Sequence, residues 1–385
     1  MTDALGRDLD ATLARLVALQ HDPRQATLRD EVERALRLDD PRVRIAACAA
    51  LNAVAALRPM DAPPHAPSAE RVVELTESIA IEGELAGYLW INRANALRAL
   101  GAERDGEATD AYRRALELAD KGAWHFDLGV HHKWRGRFAE SYESMLRARA
   151  RLGETRPVLW NMAIAATGSG QGDLAAGAWR DLGLEVSLNE GSRLPMVADV
   201  PPLQVRAPSR PSGRGLPSDA PSDVGFEIVT VSPISPCHGV VATPTFEDAP
   251  IDYGDIVLWD GAPVAAACFP LLEILRRGDE HRLAFVAITD EAGLTRLVER
   301  LGEARAFVHP RGDAREGARL VYGKLVVPAS IAKRDLVQAW NGAIAELGMR
   351  VAIPELYEGV DTRRAGQEHQ AWRGVERVAQ KRGLV

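Results

Sequence analysis

Cys237 and His238 stand side by side in Pro236-Cys237-His238-Gly239, and this is where the sequence comes nearest to covalent chemistry. The thiolate is the reactive form of cysteine, and a neighbouring imidazolium favours it. Asp248, Asp252 and Asp255 follow and offer carboxylates to orient a base. Yet neighbours on an extended strand point to opposite faces, so Cys237 and His238 need not touch. The alternative is a tight turn with one buried thiol and one surface imidazole. His125, His131 and His132 are the other ligand types to weigh. A helical zinc pair wants two histidines at i and i+4, and these three do not supply that spacing. Gly168-Ser169-Gly170-Gln171-Gly172 is rich in glycine, but no strand precedes it. No Gly-Lys-Ser/Thr follows, as a phosphate-cradling loop requires. It reads as a turn between helices. No metal or cofactor is implied, and no constellation commits the chain to enzymatic work.

The composition narrows the classes further. The chain has 385 residues, 46% of them hydrophobic, so it fits two or three domains with buried cores. A net charge of -7 argues against a general nucleic-acid binder, which needs a basic face. Cys48, Cys237 and Cys268 are widely spaced and form no Cys-x-x-Cys pair, which argues against a disulfide framework or a cysteine zinc site. The first residues, MTDALGRDLDATLARL, carry charges where a secretion signal needs an apolar run. No stretch approaches the length of a membrane span. A cytoplasmic protein without a membrane partner is the expectation.

The elements that would position any site fall into five stretches. Residues 1–67 are helical, with Leu13, Leu16, Val17 and Leu19 on one face of a first helix. Asp40-Pro41 opens another, since proline at the first helical position loses no needed N–H. Its small stripe, Val43, Ala46, Ala47, Ala50, Leu51 and Val54, permits close packing. This Asp-Pro-x-Val-Arg start resembles part of a HEAT repeat. Residues 68–193 carry a repeat: Gly129 and Ala163, Gly136 and Gly170, Ser141 and Ala175, Met145 and Trp179, and Ala148 and Leu182 each stand 34 apart. An earlier unit matches through Trp90, Ala94 and Gly101, then Ala108, Tyr112 and Ala115, with about two extra residues in its turn. Residues 194–223 are dense in Pro, Ser and Gly and read as a linker. Residues 224–280 are β-type, with Asp260-Gly261 as a hairpin signal. Residues 281–385 alternate strand, helix, strand, strand, helix, strand, and then end in a helix rich in Arg and Lys. That helix could meet an acidic partner or nucleic acid; a solvated face is the plainer explanation. Its charged residues are Arg363, Arg364, Arg373, Arg377, Lys381 and Arg382, against Asp361, Glu368 and Glu376.

The 34-residue pattern resembles the tetratricopeptide (TPR) repeat, over about Tyr88–Gly183. All three units lack the closing proline of that family. The resemblance implies an α-helical solenoid in the N-terminal half and a concave groove lined by the first helix of each unit. By position, that groove would be lined by Tyr88, Ile91, Asn95 and Arg98, then Phe126, Val130 and Lys133, then Trp160, Ile164 and Thr167. Some members clamp a carboxylate with Lys, Arg and Asn; Asn95, Arg98 and Lys133 supply part of such a set. The alternative is that Phe126 and Trp160 are packing residues. In the C-terminal half, the β-α-β-β-α-β order is that of the ferredoxin-like fold. With a small β-barrel holding the Tyr253–Asp255 turn, it resembles some uncharacterised bacterial domains of no known activity. The expected fold is therefore multidomain, α followed by α+β. The leading functional expectation is a non-enzymatic scaffold that holds a protein or peptide in the groove. The runner-up is an enzyme or ligand-binding regulator centred on Cys237, His238 and Asp255.

Overall fold

The computed structural model describes residues 2–56, 66–77, 79–209, 225–246, 248–315 and 317–384. They form two compact units. The first holds residues up to Asp199 together with two short returns of the chain, Ser235–Cys237 and Asp260–Ala266. The second holds Val200–Ile234, His238–Trp259 and the chain from Ala267 onward.

The first unit is helical: α1 (Thr2–His21), α2 (Leu28–Ala35), α3 (Pro41–Ala55), α4 (Ala66–Leu75), α5 (Gly83–Leu100), α6 (Asp105–Leu118), α7 (Gly122–Lys133), α8 (Phe138–Leu152), α9 (Arg156–Gly168) and α10 (Gly172–Asp181), then a short antiparallel ribbon of β1 (Ser187–Leu188) and β2 (Pro195–Met196). Asp40 caps α3 by accepting from the Arg42 N–H at 2.8 Å, beside Pro41. Ala47 and Ala50 are wholly buried on the small stripe. On α1 the buried pair is Leu16 and Leu19, whereas Val17 is 47% exposed, because one residue further turns the side chain by about 100°.

From α5 onward the helices pack in successive pairs: α5 with α6, α7 with α8, α9 with α10. Gly136 and Gly170 take the same left-handed conformation, at φ 67° and 72°, in the turns within two of these pairs. Tyr112, Met145 and Trp179 are all fully buried, as are Ala94 and Ala163. Gly129 brings α7 close to α8: a Cβ there would stand 2.7 Å from Met145 Cε, so the flexible Met145 tip would have to move for any larger residue. Ser141 Oγ also donates to the Gly129 carbonyl at 2.8 Å, tying α8 to α7.

The second unit begins with a closed barrel of β3 (Leu203–Ser209), β4 (Gly225–Ser235), β5 (His238–Val241), β6 (Ile256–Trp259) and β7 (Cys268–Arg276), with β7 closing in parallel on β3. Val205, Ala207, Val229, Val231, Val241, Ile251, Val257 and Trp259 fill it. The linker reading of 194–223 is therefore corrected in part. Val205 and Ala207 alternate inward, enough to hold Leu203–Ser209 in a sheet despite the surrounding prolines; the rest of that stretch from 210 lies outside the described residues. Asp260-Gly261 is not a two-residue hairpin, since β6 and β7 are joined by the whole of 260–267.

A four-stranded antiparallel sheet follows: β8 (His281–Thr289), α11 (Glu291–Arg300), β9 (Arg305–Arg315), β10 (Ala318–Val327), α12 (Lys333–Leu347) and β11 (Arg350–Ala352), in the spatial order β11-β8-β10-β9. Asp290 caps α11, accepting from the Gly293 N–H at 2.7 Å. α12 starts at Lys333 with no side-chain cap. Beyond β11, the expected strand gives way to α13 (Pro354–Tyr357), since Pro354 suits a first helical turn. α14 (Thr362–Lys381) and the Leu384 beyond it then close one face of the sheet, Val375, Ala379 and Leu384 packing against Val286, Ile288, Leu320 and Tyr322. Among the described residues no helix is long and apolar enough to cross a membrane.

Candidate functional site

Phe126, Val130 and Trp134 recur one helical turn apart along α7 and its C-terminal cap, and so share one stripe. Arg156 and Trp160 do the same on α9. Together these stripes line an open cavity of about 770 Å³ within the helical unit. Arg24, Ala56, Pro157, Asn161 and the returning segment Asp260–Val264 complete its wall. Trp160 is held edge-on against the buried Trp179 ring, 4.9 Å between centroids at 90°. The Arg156 guanidinium lies over the Trp160 ring at 5.8 Å. That contact favours a cation over the ring's negative face.

Part of the cavity wall is built by a buried ion pair. Lys133 Nζ lies 2.8 Å from Asp260 Oδ2, with the two side chains only 3% and 6% exposed. Lys133 also donates to Asn161 Oδ1 at 2.6 Å. Asp260 in turn accepts from the Ala262 N–H at 2.9 Å, which fixes the turn. Gly261 follows because nothing larger fits: a Cβ there would meet Trp160 Nε1 at 2.0 Å. The returning segment thus presses its backbone on the Trp160 indole. Two further cations of the lining are unmatched. Arg24 and Arg156 are exposed, and among the described residues neither has a carboxylate within ion-pair distance. The cavity therefore offers aromatic and aliphatic walls, two solvated guanidinium groups and, among the described residues, no unpaired acid.

Of the ten residues the repeat pattern assigns to the groove, Phe126, Val130, Lys133 and Trp160 line this cavity. The other six do not. Ile91 and Ile164 are buried, because they sit on the faces that meet neighbouring helices. Thr167 is wholly buried and donates back to the Ala163 carbonyl at 2.8 Å. Tyr88 packs edge-on against Trp124 at 5.3 Å, and its hydroxyl accepts from Lys121 at 2.9 Å. Asn95 and Arg98 are spent on Asp127. Asn95 donates to its carboxylate at 3.2 Å and accepts from Tyr112 OH at 2.6 Å, while Arg98 reaches the Asp127 carbonyl at 3.4 Å. Burial raises the Asp127 carboxyl above its usual range, against the pull of Arg98 and Asn95. Asn95, Arg98 and Lys133 therefore do not form a carboxylate clamp.

Sequence reasoning missed Trp134, Arg156 and Asn161, although a signal was present: each is three to four residues from a predicted lining residue on the same helix. It missed Arg24 and Asp260 for want of any signal, since only the tertiary fold brings them to this wall.

The catalytic candidates each have a structural occupation. Cys237 is wholly buried; its Sγ lies 3.6 Å from Thr167 Oγ1 and 3.7 Å from Ser235 Oγ. Burial pushes its thiol up to about 11, so the thiolate is disfavoured rather than poised. His238 is also wholly buried, which lowers its imidazole to about 4. The expected surface imidazole is thus corrected. Asp255 is fully buried in the Tyr253–Asp255 turn, within the second unit. Its carboxylate accepts from Arg277, Arg282 and the Gly278 and Asp252 N–H groups at 2.9 to 3.0 Å. That is the work of a structural anchor between the turn and β7–β8.

His131 is buried, with Nε2 at 2.8 Å from Arg137 and 3.3 Å from Thr109 Oγ1, and burial then Arg137 lower it to about 3. His125 Nε2 pairs with Asp120 at 2.7 Å. Among the described residues no three His, Cys, Asp or Glu side chains are grouped to hold a metal. No protein-family model matches the chain, and no curated protein is significantly similar to it.

Proposed function

We propose that the chain is a non-enzymatic adaptor whose helical unit holds an extended, acidic peptide segment of a partner protein in the cavity between α7 and α9. In this reading the helical unit is a tetratricopeptide-type array and the antiparallel sheet a ferredoxin-like unit. The first rests on the paired helices and the recurring left-handed glycines, and the second on the strand order β11-β8-β10-β9 with α11 and α12 as crossovers.

The observation that carries the function is the charge and shape of the cavity. Phe126, Trp134 and Trp160 give broad apolar surface for peptide side chains. Arg24 and Arg156 are exposed, and among the described residues neither has an acid within ion-pair distance. Aromatic and Arg anchors are where binding energy concentrates in protein interfaces. The Lys133–Asp260 pair supports the site from behind and is not itself a contact for the ligand.

A random peptide library displayed against the intact protein tests this. Enriched peptides should combine Asp or Glu with a large apolar residue. Their binding should fall by tenfold or more in Arg156→Glu and in Phe126→Ala, as truncating an interface anchor costs about 2 kcal/mol. Enrichment of peptides that bind both variants as well as the parent would place the binding elsewhere.

A further inference from the structure

The charges of α14 are sorted by sign across the helix. Its two carboxylates both turn toward the protein. Glu368 is buried, accepting from the Ile353 N–H at 3.1 Å and pairing with Arg364 at 2.9 Å. Glu376 accepts from Tyr322 OH at 2.9 Å and Trp372 Nε1 at 3.0 Å. The opposite stripe, Arg363, Gln367, Gln370, Arg373, Arg377 and Lys381, is exposed along its whole length. Among the described residues, none of its four cations has a carboxylate within ion-pair distance.

Several exposed arginines elsewhere are matched within their own helix, Arg71 with Glu74, Arg113 with Asp110 and Arg114 with Glu117. On α14 the one such pair, Arg364 with Glu368, lies off the outer stripe. Arg373, Arg377 and Lys381 succeed one another at i, i+4 and i+8, so like charges repel along one face. Arg363 stands in the first turn, where the helix dipole disfavours a cation. A stripe that keeps two locally unfavourable features is poised for an external anion.

We propose that the outer stripe of α14 is a docking surface for the phosphate backbone of a nucleic-acid duplex, bound without regard to sequence. The occupant follows from what the stripe offers and what it lacks. It presents guanidinium, ammonium and amide groups and no large apolar side chain. A protein interface is built round apolar and aromatic anchors. A membrane-surface helix turns its apolar face to lipid, and that face of α14 is already buried on the sheet. Phosphate contacts need only cations and hydrogen-bond donors. At 1.5 Å rise per residue the three C-terminal cations stand about 6 Å apart, and the whole stripe runs about 27 Å. That is the length of about 8 base pairs of duplex. The net charge of the whole chain does not forbid this, because charges beyond a screening length of about 8 Å are muted at physiological salt. The surface is independent of the cavity between α7 and α9.

Fluorescence anisotropy of the intact protein with a labelled DNA duplex of mixed sequence tests the proposal. Four phosphate contacts should weaken binding on the order of 100-fold between about 50 mM and 200 mM salt. Combining Arg373→Glu, Arg377→Glu and Lys381→Glu should abolish binding at the lower salt with an unchanged circular dichroism spectrum. If that variant does not fold, replacing the same three residues with Gln must give the same loss. The exchange Arg373→Lys, Arg377→Lys and Lys381→Arg should retain binding. No binding at low salt, salt-insensitive binding, or binding that survives loss of the three charges would each overturn the proposal. So would preferential binding of polyglutamate or of phosphatidylserine vesicles over the duplex, which would assign the stripe to an acidic protein or a membrane.

Discussion

His131 shows what burial does to a single group. It lies out of water between Tyr112, His132 and Arg137, with Asp105 the one nearby charge that favours the imidazolium. Its pKa of about 3 lies far below the ordinary value near 6.5. The unfolded chain therefore takes up a proton that the native chain refuses as pH falls below about 6.5. Stability contributed by the neutral ring is present above that pH and is lost progressively from there toward 3, at up to about 1.4 kcal/mol per pH unit. Buried His238, at about 4, adds loss of the same sign in its own unit. Urea midpoints measured across this range should fall with pH, and His131→Asn should flatten the slope for the helical unit. An unaltered slope in that variant would mean that His131 is solvated or carries its proton in the folded state.

At the scale of elements, α7 and α9 divide their side chains between two tasks. Ile164 and Gly129 face neighbouring helices; Phe126, Val130 and Arg156 face the cavity. Trp160 does both, since one edge meets the buried Trp179 and the other meets Gly261. Its truncation should therefore cost stability as well as binding. Trp160→Ala is expected to lose about 3 kcal/mol, in the usual range for removing a large aromatic from packed surroundings. Phe126→Ala, at a half-buried site, should lose about 1 kcal/mol or less. Chemical denaturation of the two variants checks the difference. Equal losses would place both rings on the same footing, either as core or as open surface.

The helical unit is not contiguous in sequence, because Asp260 returns to neutralise Lys133. A fragment ending at Asp199 should still be helical, but it leaves the Lys133 ammonium without its carboxylate. Breaking such a pair costs about 3 kcal/mol, whereas replacing the orphaned charge with an apolar residue recovers much of it. Lys133→Met should thus raise the melting temperature of the fragment. In the intact protein the same substitution should lower it, since Asp260 then becomes the orphan. Opposite signs in the two backgrounds are the expected result. Equal signs would show that the pair does not govern the stability of the unit.

Much of this was legible in the residues themselves. The 34-residue recurrence of Gly136 and Gly170 located the turns, and Asp40-Pro41 located a helix start, because these signals are local in the chain. Part of the cavity wall was also legible: the resemblance to the tetratricopeptide repeat placed Phe126, Val130, Lys133 and Trp160 there. Periodicity could not separate Trp160 from Ile164, one turn further along α9, because the choice between cavity and core depends on which helix packs opposite. The charge sorting on α14 needed the sheet beneath it, which draws Glu368 and Glu376 inward and leaves the cations outside. Local backbone preferences set where the elements begin and end. Only contacts between residues far apart in the chain, such as Lys133 with Asp260 or Asp255 with Arg282, decided which side chains are structural and which remain available to a partner.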